Sequence, residues 1–143
     1  MVKLMDMRNL LFWLALISLS TGCVARYKDF SEIYSGDCSN VTRLVIYRGA
    51  IGGSIQQTRE ITDEEEIRSF FDLLDSTRFV RMKNQSPKAT FLYRVDIYED
   101  DADVLKITFT EDTARFHNTN YWLDKDVGKD LKLLFGSGVK IKS

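Results

Sequence analysis

An uninterrupted apolar run near the N-terminus constrains this chain more than any other feature. It extends from Leu10 to Leu19 (LLFWLALISL) and follows a short leader that carries Lys3 and Arg8. At about 1.5 Å per helical residue, the run covers about 15 Å, which is half of the ~30 Å hydrocarbon layer of a bilayer. It is therefore too short for a permanent transmembrane helix, and its length fits the apolar centre of a cleaved export signal.

The apolar run closes on Ser20-Thr21-Gly22-Cys23, where small residues precede a cysteine. This sequence resembles the lipobox of bacterial lipoproteins, a family in which the cysteine receives a diacylglyceryl group and becomes the new N-terminus. The resemblance implies cleavage between Gly22 and Cys23 and lipidation of Cys23. One position departs from the family, because Ser20 stands where the family usually has leucine. An uncleaved or ordinarily cleaved signal is the alternative.

The same resemblance implies a location and an attachment to the membrane. Lipoprotein acylation supplies at least two acyl chains. Two acyl chains hold a protein stably at a membrane, whereas a single acyl chain binds reversibly. Val24 follows the cysteine and lacks the aspartate of the family's inner-membrane retention rule. We therefore expect a lipid-anchored protein of the cell envelope. It would lie at the outer membrane of a Gram-negative cell, or on the outer face of the cytoplasmic membrane of a Gram-positive cell.

Composition limits the classes of function that the chain can serve. Twenty Lys and Arg against 21 Asp and Glu give a net charge of −1, which disfavours nucleic acid as a partner. A hydrophobic content of 44% indicates a folded globule. One His and two Cys leave little material for a zinc site or a His-based triad, so we expect neither a metal nor a cofactor. We divide the chain into a signal peptide (1–22), an acylated cysteine with a polar tether (23–40) and one domain (41–143).

The second cysteine, Cys38, has three interpretations. If Cys23 carries lipid, Cys38 remains unpaired in an oxidising compartment, where free thiols are uncommon. The simplest interpretation is a small buried apolar side chain. A disulfide with Cys23, which would compete with the lipid, or a bond to another chain are the alternatives.

The first half of the domain predicts a hairpin and a helix. Val41–Arg48 is rich in β-branched and aromatic residues, and the glycine-rich turn at Gly49–Gly53 allows Ser54–Glu60 to return as a second strand. Thr62 and Glu65 then match a helix capping box. The apolar residues that follow have helical spacing: Ile67, Phe70, Phe71 and Leu74. The tether before the hairpin predicts at most one loose turn, near Phe30–Tyr34.

The second half predicts short strands followed by a helix. Phe91–Tyr98 and Val104–Thr110 alternate between apolar and polar residues, as strands with one buried face do. Shorter strands are predicted at Phe79–Met82 and Ala114–His117. Asp124 is the predicted cap of a last helix with the apolar stripe Val127, Leu131, Leu134 and Phe135. The fold class is α+β, a mostly antiparallel sheet with two helices packed on one face, in the order β-β-α-(β)-β-β-β-α.

Two groups of side chains are candidates for binding. The aromatic residues form either a binding surface or part of the core: Tyr93, Tyr98, Phe116, Tyr121 and Trp122. The basic residues Arg78, Arg81 and Lys83 could meet an acidic partner or lipid headgroups. Alternatively, they protect a solvated strand edge.

Catalytic motifs are weak in this sequence. His117 has hydroxyls nearby in Thr119 and Tyr121, and Asp112 is the closest preceding acid, but no Gly-x-Ser-x-Gly elbow is present. The acidic turn at 99–103 lacks the ligand spacing of an EF-hand.

The layout resembles small uncharacterised bacterial lipoproteins that carry one α+β domain after the acylated cysteine. We expect a non-enzymatic binding or structural module that is anchored to the membrane and has a protein partner. The alternatives are a periplasmic inhibitor or immunity protein directed at a toxin or hydrolase and, less favoured, a hydrolase.

Overall fold

A seven-stranded sheet forms the centre of the computed structural model, which describes residues 26–50, 54–87 and 90–136. The strands are β1 (Arg43–Gly49), β2 (Ile55–Ile61), β3 (Phe79–Arg81), β4 (Tyr93–Glu99), β5 (Ala102–Phe109), β6 (Thr113–Phe116) and β7 (Thr119–Leu123). The helices are α1 (Phe30–Ile33), α2 (Glu64–Asp75) and α3 (Val127–Gly136). The strand order is β2-β1-β4-β5-β6-β7-β3, and every neighbouring pair is antiparallel. The predicted α+β class with a mostly antiparallel sheet is confirmed.

The core lies on one face of this sheet. Leu44 of β1 pairs with Ile97 of β4, which in turn pairs with Leu105 of β5, and all three side chains are buried. The buried stripes of the two long helices complete the same cluster, through Ile67, Phe70 and Leu74 of α2 and Val127, Leu131 and Phe135 of α3. The apolar faces that the sequence predicts for the helices and the strands therefore pack against each other in a single core.

Helix α2 begins one residue later than its capping signal predicts. The N-cap is Asp63, whose carboxylate accepts a hydrogen bond from the backbone N–H of Glu66 at 3.0 Å. Thr62, the predicted cap, is exposed and precedes the helix. Both residue types are good caps, and aspartate adds a negative charge next to the positive helix end.

Strand β7 is absent from the predicted order, which therefore has one strand too few. It follows β6 after a tight turn in which His117 and Asn118 have φ of 48° and 59°. Two consecutive positive φ values are typical of the hairpin turns that glycine usually marks. The chain has no glycine here, so the signal for a turn and a return strand was missing from the sequence.

The segment predicted as a polar tether packs against the domain. Lys28 forms an antiparallel bridge with Phe79 of β3, with two backbone hydrogen bonds of 2.8 Å. Phe30 in α1 is only 4% exposed, and its ring lies 6.2 Å from that of Phe79 and 6.1 Å from that of Phe116. The predicted turn near Phe30–Tyr34 is confirmed as α1. The folded unit therefore includes residues from at least Lys28 onward, ahead of the boundary at 41.

Candidate binding face

The sheet face opposite the helices carries a group of paired charged and aromatic side chains. Because side chains alternate along a strand, the neighbours of the core residues on β1, β4 and β5 point to this second face. We call it the open face and define it by Arg43, Val45, Tyr47, Arg94, Asp96, Tyr98, Lys106 and Thr108. Its rows follow the strand register, in which Asp96 stands between Val45 and Lys106.

Two arginine–tyrosine pairs flank the centre of the open face. The guanidinium carbon of Arg94 lies 4.1 Å from the centroid of the Tyr47 ring, and that of Arg43 lies 4.3 Å from the Tyr98 ring. Each pair joins residues that are directly opposite each other on β1 and β4. In one pair the arginine is on β4 and the tyrosine is on β1, and in the other pair this arrangement is reversed. The two pairs lie on either side of the row that contains Asp96, and we call them the crossed pair of stacks.

Arg94 is held from two sides. Its Nε donates to Oδ1 of Asp96 at 3.0 Å and one terminal nitrogen donates to Oδ2 at 3.4 Å, while its plane stacks on Tyr47. A guanidinium that is fixed by both a carboxylate and an aromatic ring loses little further side-chain entropy when a partner binds. Arg94 is therefore ordered in advance for contact.

Asp96 is unusually buried for a residue on a sheet face that no described helix covers, because its side chain is only 3% exposed. Burial raises the pKa of its carboxyl group, and the positive charges of Arg94 and Lys106 oppose that rise. The Arg94 side chain contacts both oxygens of this carboxylate. The open face thus contains a partly desolvated charge pair surrounded by aromatic rings.

The structure separates the five aromatic residues that the sequence offered as a binding surface. Tyr93 and Phe116 are 6% and 3% exposed and belong to the core, so the predicted surface is corrected at these two positions. Tyr121 is half-buried and stacks on Phe116 with a centroid distance of 5.1 Å. Tyr98 lies on the open face, and Trp122 is 46% exposed on β7, opposite Val80.

The alternation of Phe91–Tyr98 places Arg94 and Asp96 on the polar side of a strand, but it predicts no binding role for them. The sequence analysis also predicts no role for Arg43 or Tyr47. Alternation places each residue on a face. It does not give the register between β1 and β4 that brings each arginine to its tyrosine.

His117 does not join the groups that a triad would need within the described residues. Its ring packs against Tyr34 and Phe116, at centroid distances of 5.9 and 6.0 Å. The hydroxyl of Thr119 donates to the backbone carbonyl of His117, at 3.4 Å. The backbone carbonyl of Asp112 accepts from the N–H of Leu123. These contacts of Thr119 and Asp112 involve backbone groups of the β6–β7 hairpin.

Several cavities lie at the margins of the described domain, and two of them contain charged residues or Cys38. The larger, about 770 Å³, opens where β1 and β4 meet the start of α3, and its lining mixes cations (Arg48, Lys129, Lys132) with acids (Glu111, Asp112, Asp126). The smaller, about 430 Å³, lies between the α1 segment and α2 and includes Cys38. Cys38 is half-buried, packs against the core and forms no disulfide with a described residue, and burial raises the pKa of its thiol to about 11. A thiol with so high a pKa is a weak nucleophile at neutral pH.

In the described part of the chain, no helix is long and apolar enough to span a bilayer, and no group of three or more His, Cys, Asp or Glu is placed to hold a metal ion. The lipobox and the cleavage site at Gly22 and Cys23 lie outside the described residues. No protein-family model, curated protein or solved structure matches this chain.

Proposed function

We propose that this protein is a lipid-anchored lipoprotein of the cell envelope whose domain binds a protein partner through the open face. Anchoring at Cys23 rests on the lipobox resemblance. Binding rests on one observation, the crossed pair of arginine–tyrosine stacks around Asp96.

The composition of the open face supports a protein partner. Arginine and tyrosine are enriched among the residues that dominate binding energy at protein interfaces, since each offers a large contact area and a polar group. Here Arg94 is already oriented by Asp96 and Tyr47. The cationic groups Arg43, Arg94 and Lys106 stand beside the acids Asp96 and Glu60, which favours a partner surface of mixed charge over a polyanion.

Lipidation is tested by intact mass spectrometry of the protein purified from the membranes of its native host. We expect a chain that begins at Cys23 and carries acyl chains, and a Cys23→Ser variant that keeps its leader and lacks the acyl mass. A full-length, unmodified chain recovered from the cytosol would contradict the anchor.

Partner binding is tested by site-specific photocrosslinking in intact cells. A crosslinking residue at Tyr98 should capture one defined protein, and the same residue at Leu133, which is 72% exposed on α3, serves as the control. The product should be lost when Arg94→Ala is added. A stoichiometric enzyme in the Tyr98 product would identify the protein as an inhibitor, and a cell-wall or assembly protein would identify a structural module. Equal capture from Leu133 would contradict binding by the open face.

A further inference from the structure

The N-terminal segment that leads to the proposed anchor lies at one edge of the sheet. Lys28 pairs with Phe79 on the outer side of β3, which is the last strand of the sheet. Cys23 precedes Lys28 by five residues, and a fully extended chain spans at most ~3.6 Å per residue. A lipid on Cys23 therefore holds Lys28 within about 18 Å of its point of attachment.

Exposed cations line the same edge. Lys28, Arg78, Arg81 and Lys83 are all exposed, and none of them forms a salt bridge with a described residue. They lie on or next to β3 and its bridge, within a short stretch of sheet edge.

The acidic residues nearby already have partners in the protein. Glu32 contacts Arg26 at 3.9 Å and accepts the backbone N–H of Asp29. Asp124 accepts the backbone N–H of Arg78 at 2.9 Å. A hydrogen bond from a backbone N–H leaves the negative charge of Asp124 in place, and the exposed Asp29 adjoins Lys28, so the four cations of this edge outnumber these two carboxylates.

Two exposed aromatic side chains accompany these cations. Tyr27 is 54% exposed and precedes Lys28, and in an antiparallel bridge the residue before Lys28 lies beside Val80. Trp122, 46% exposed, is paired with Val80 from the other side. Tyrosine and tryptophan beside lysine and arginine is the composition that proteins place at the membrane–water interface.

We propose that the β3 edge, comprising Tyr27, Lys28, Arg78, Arg81, Lys83 and Trp122, lies on the anionic lipid surface to which the protein is anchored. This inference rests on the proposed lipidation of Cys23. Three independent features support a lipid surface over an acidic protein: the short connection to the anchor, the exposed cations and the interfacial aromatic residues.

The contact sets the orientation of the domain. Strands are about 4.8 Å apart across a sheet, and β4 and β1 are four and five positions from β3. With β3 on the membrane, the arginine–tyrosine pairs of the open face stand roughly 19–24 Å above the lipid. The open face then points sideways, where it is accessible to a partner in the envelope.

Trp122 is a natural reporter for this contact. The chain has two tryptophans, and cleavage before Cys23 removes Trp13, so the mature protein retains Trp122 alone. The acylated protein is reconstituted into neutral phosphatidylcholine vesicles and into vesicles in which about a third of the lipid is phosphatidylglycerol. Quenching of Trp122 is then measured with lipids brominated near the carbonyl end of the acyl chains.

A charge-matched pair of variants tests the cations. The edge variant carries Arg78→Gln, Arg81→Gln and Lys83→Gln. The control variant carries Arg48→Gln, Lys129→Gln and Lys132→Gln, three exposed cations around the larger cavity, where β1 is separated from β3 by four strands. Each cation near an anionic surface contributes roughly fivefold to binding, so the edge variant should weaken the contact about 100-fold.

The expected result is quenching of wild-type Trp122 that is stronger on anionic than on neutral vesicles. The control variant should retain this difference and the edge variant should lose it. Equal quenching on both vesicle types, or an equal loss in the two variants, overturns the edge contact. A third outcome is that lipid never quenches Trp122, which becomes protected from iodide only in native membranes. This outcome indicates that a protein covers the edge, and it also overturns the proposed contact with lipid.

The mass of the same sample separates this inference from the proposed anchor. An acylated protein whose Trp122 is not quenched overturns the edge contact alone. A sample without acyl mass overturns both, because the contact depends on the anchor.

Discussion

The two faces of the central strands are built from alternating residues of the same sequence and behave very differently. On the covered face, Leu44, Ile97 and Leu105 form an apolar row beneath the helices. One residue along each strand, Val45, Asp96 and Lys106 form the corresponding row of the open face. Only the first row has the helical stripes packed on it.

A side chain of this sheet can therefore be buried without another secondary-structure element packed on it. Asp96 is 3% exposed, as deeply buried as Leu105, although no described helix packs on its face. The covered row is removed from water by other secondary-structure elements, which contributes hydrophobic free energy. Asp96 is enclosed by the side chains of its own sheet, so its burial depends on the hydrogen bonds and stacking of Arg94.

The largest effect should come from truncating the covered face. Phe70→Ala removes a ring that is fully buried between α2 and the sheet, and should lower the free energy of unfolding by about 3–5 kcal/mol. Urea denaturation measures the change. Leu133→Ala, on the solvent side of α3, is the control and should stay within about 0.5 kcal/mol. Similar losses in both variants would contradict the assigned core.

The N-terminal segment should contribute nearly as much. Phe30→Ala should cost about 3 kcal/mol, because its ring packs among Phe79 and Phe116. Its neighbour Tyr27 is exposed, and Tyr27→Ala should change the free energy of unfolding by less than about 0.5 kcal/mol. If Phe30→Ala were as mild as Tyr27→Ala in urea denaturation, residues 26–34 would be a tether after all.

On the open face, Asp96→Asn should have a small effect at neutral pH and a difference from the wild type that depends on pH. At neutral pH the loss of the charge-assisted bonds to Arg94 is offset by relief of the burial penalty on the Asp96 carboxylate, so the free energy of unfolding should change by less than about 1 kcal/mol. Burial raises the pKa of Asp96 above 3.8, so the folded protein holds this proton more tightly than the unfolded chain. As the pH falls through the range just above 3.8, the wild type should therefore gain stability relative to Asp96→Asn.

Urea titrations of both proteins between neutral and mildly acidic pH measure this difference. Asp112→Asn, at an exposed loop carboxylate, is the control for the substitution itself. A wild type that loses stability relative to Asp96→Asn as the pH falls would indicate a carboxylate stabilised by Arg94 more than it is penalised by burial.

A small effect should also come from Arg94→Lys. Lysine keeps the charge but loses the planar fork and its stacking on Tyr47, which should cost about 0.5–1 kcal/mol. Arg68→Lys, in an exposed pair with Glu64 at 3.4 Å on α2, should cost less than about 0.5 kcal/mol in the same urea assay. Indistinguishable values would mean that Arg94 is an ordinary surface cation.

Local patterns in the sequence were sufficient for most elements. The spacing of Ile67, Phe70 and Leu74 predicted the buried stripe of α2, and the alternation of Val95 and Ile97 predicted the inward face of β4, as the structure shows. These features depend on residues within a few positions of each other. The cap of α2 was displaced by one residue because Thr62 and Asp63 are both good caps.

The sequence by itself determined the fold class and the apolar faces of its elements. Tertiary structure decided which strands become neighbours: β3 pairs with β7 some forty residues later, and Lys28 adds to the outer side of β3. It also set the register that places Arg43 on Tyr98 and Arg94 on Tyr47. Such pairings are chosen by the free energy of the whole packed sheet, which no short stretch of sequence contains.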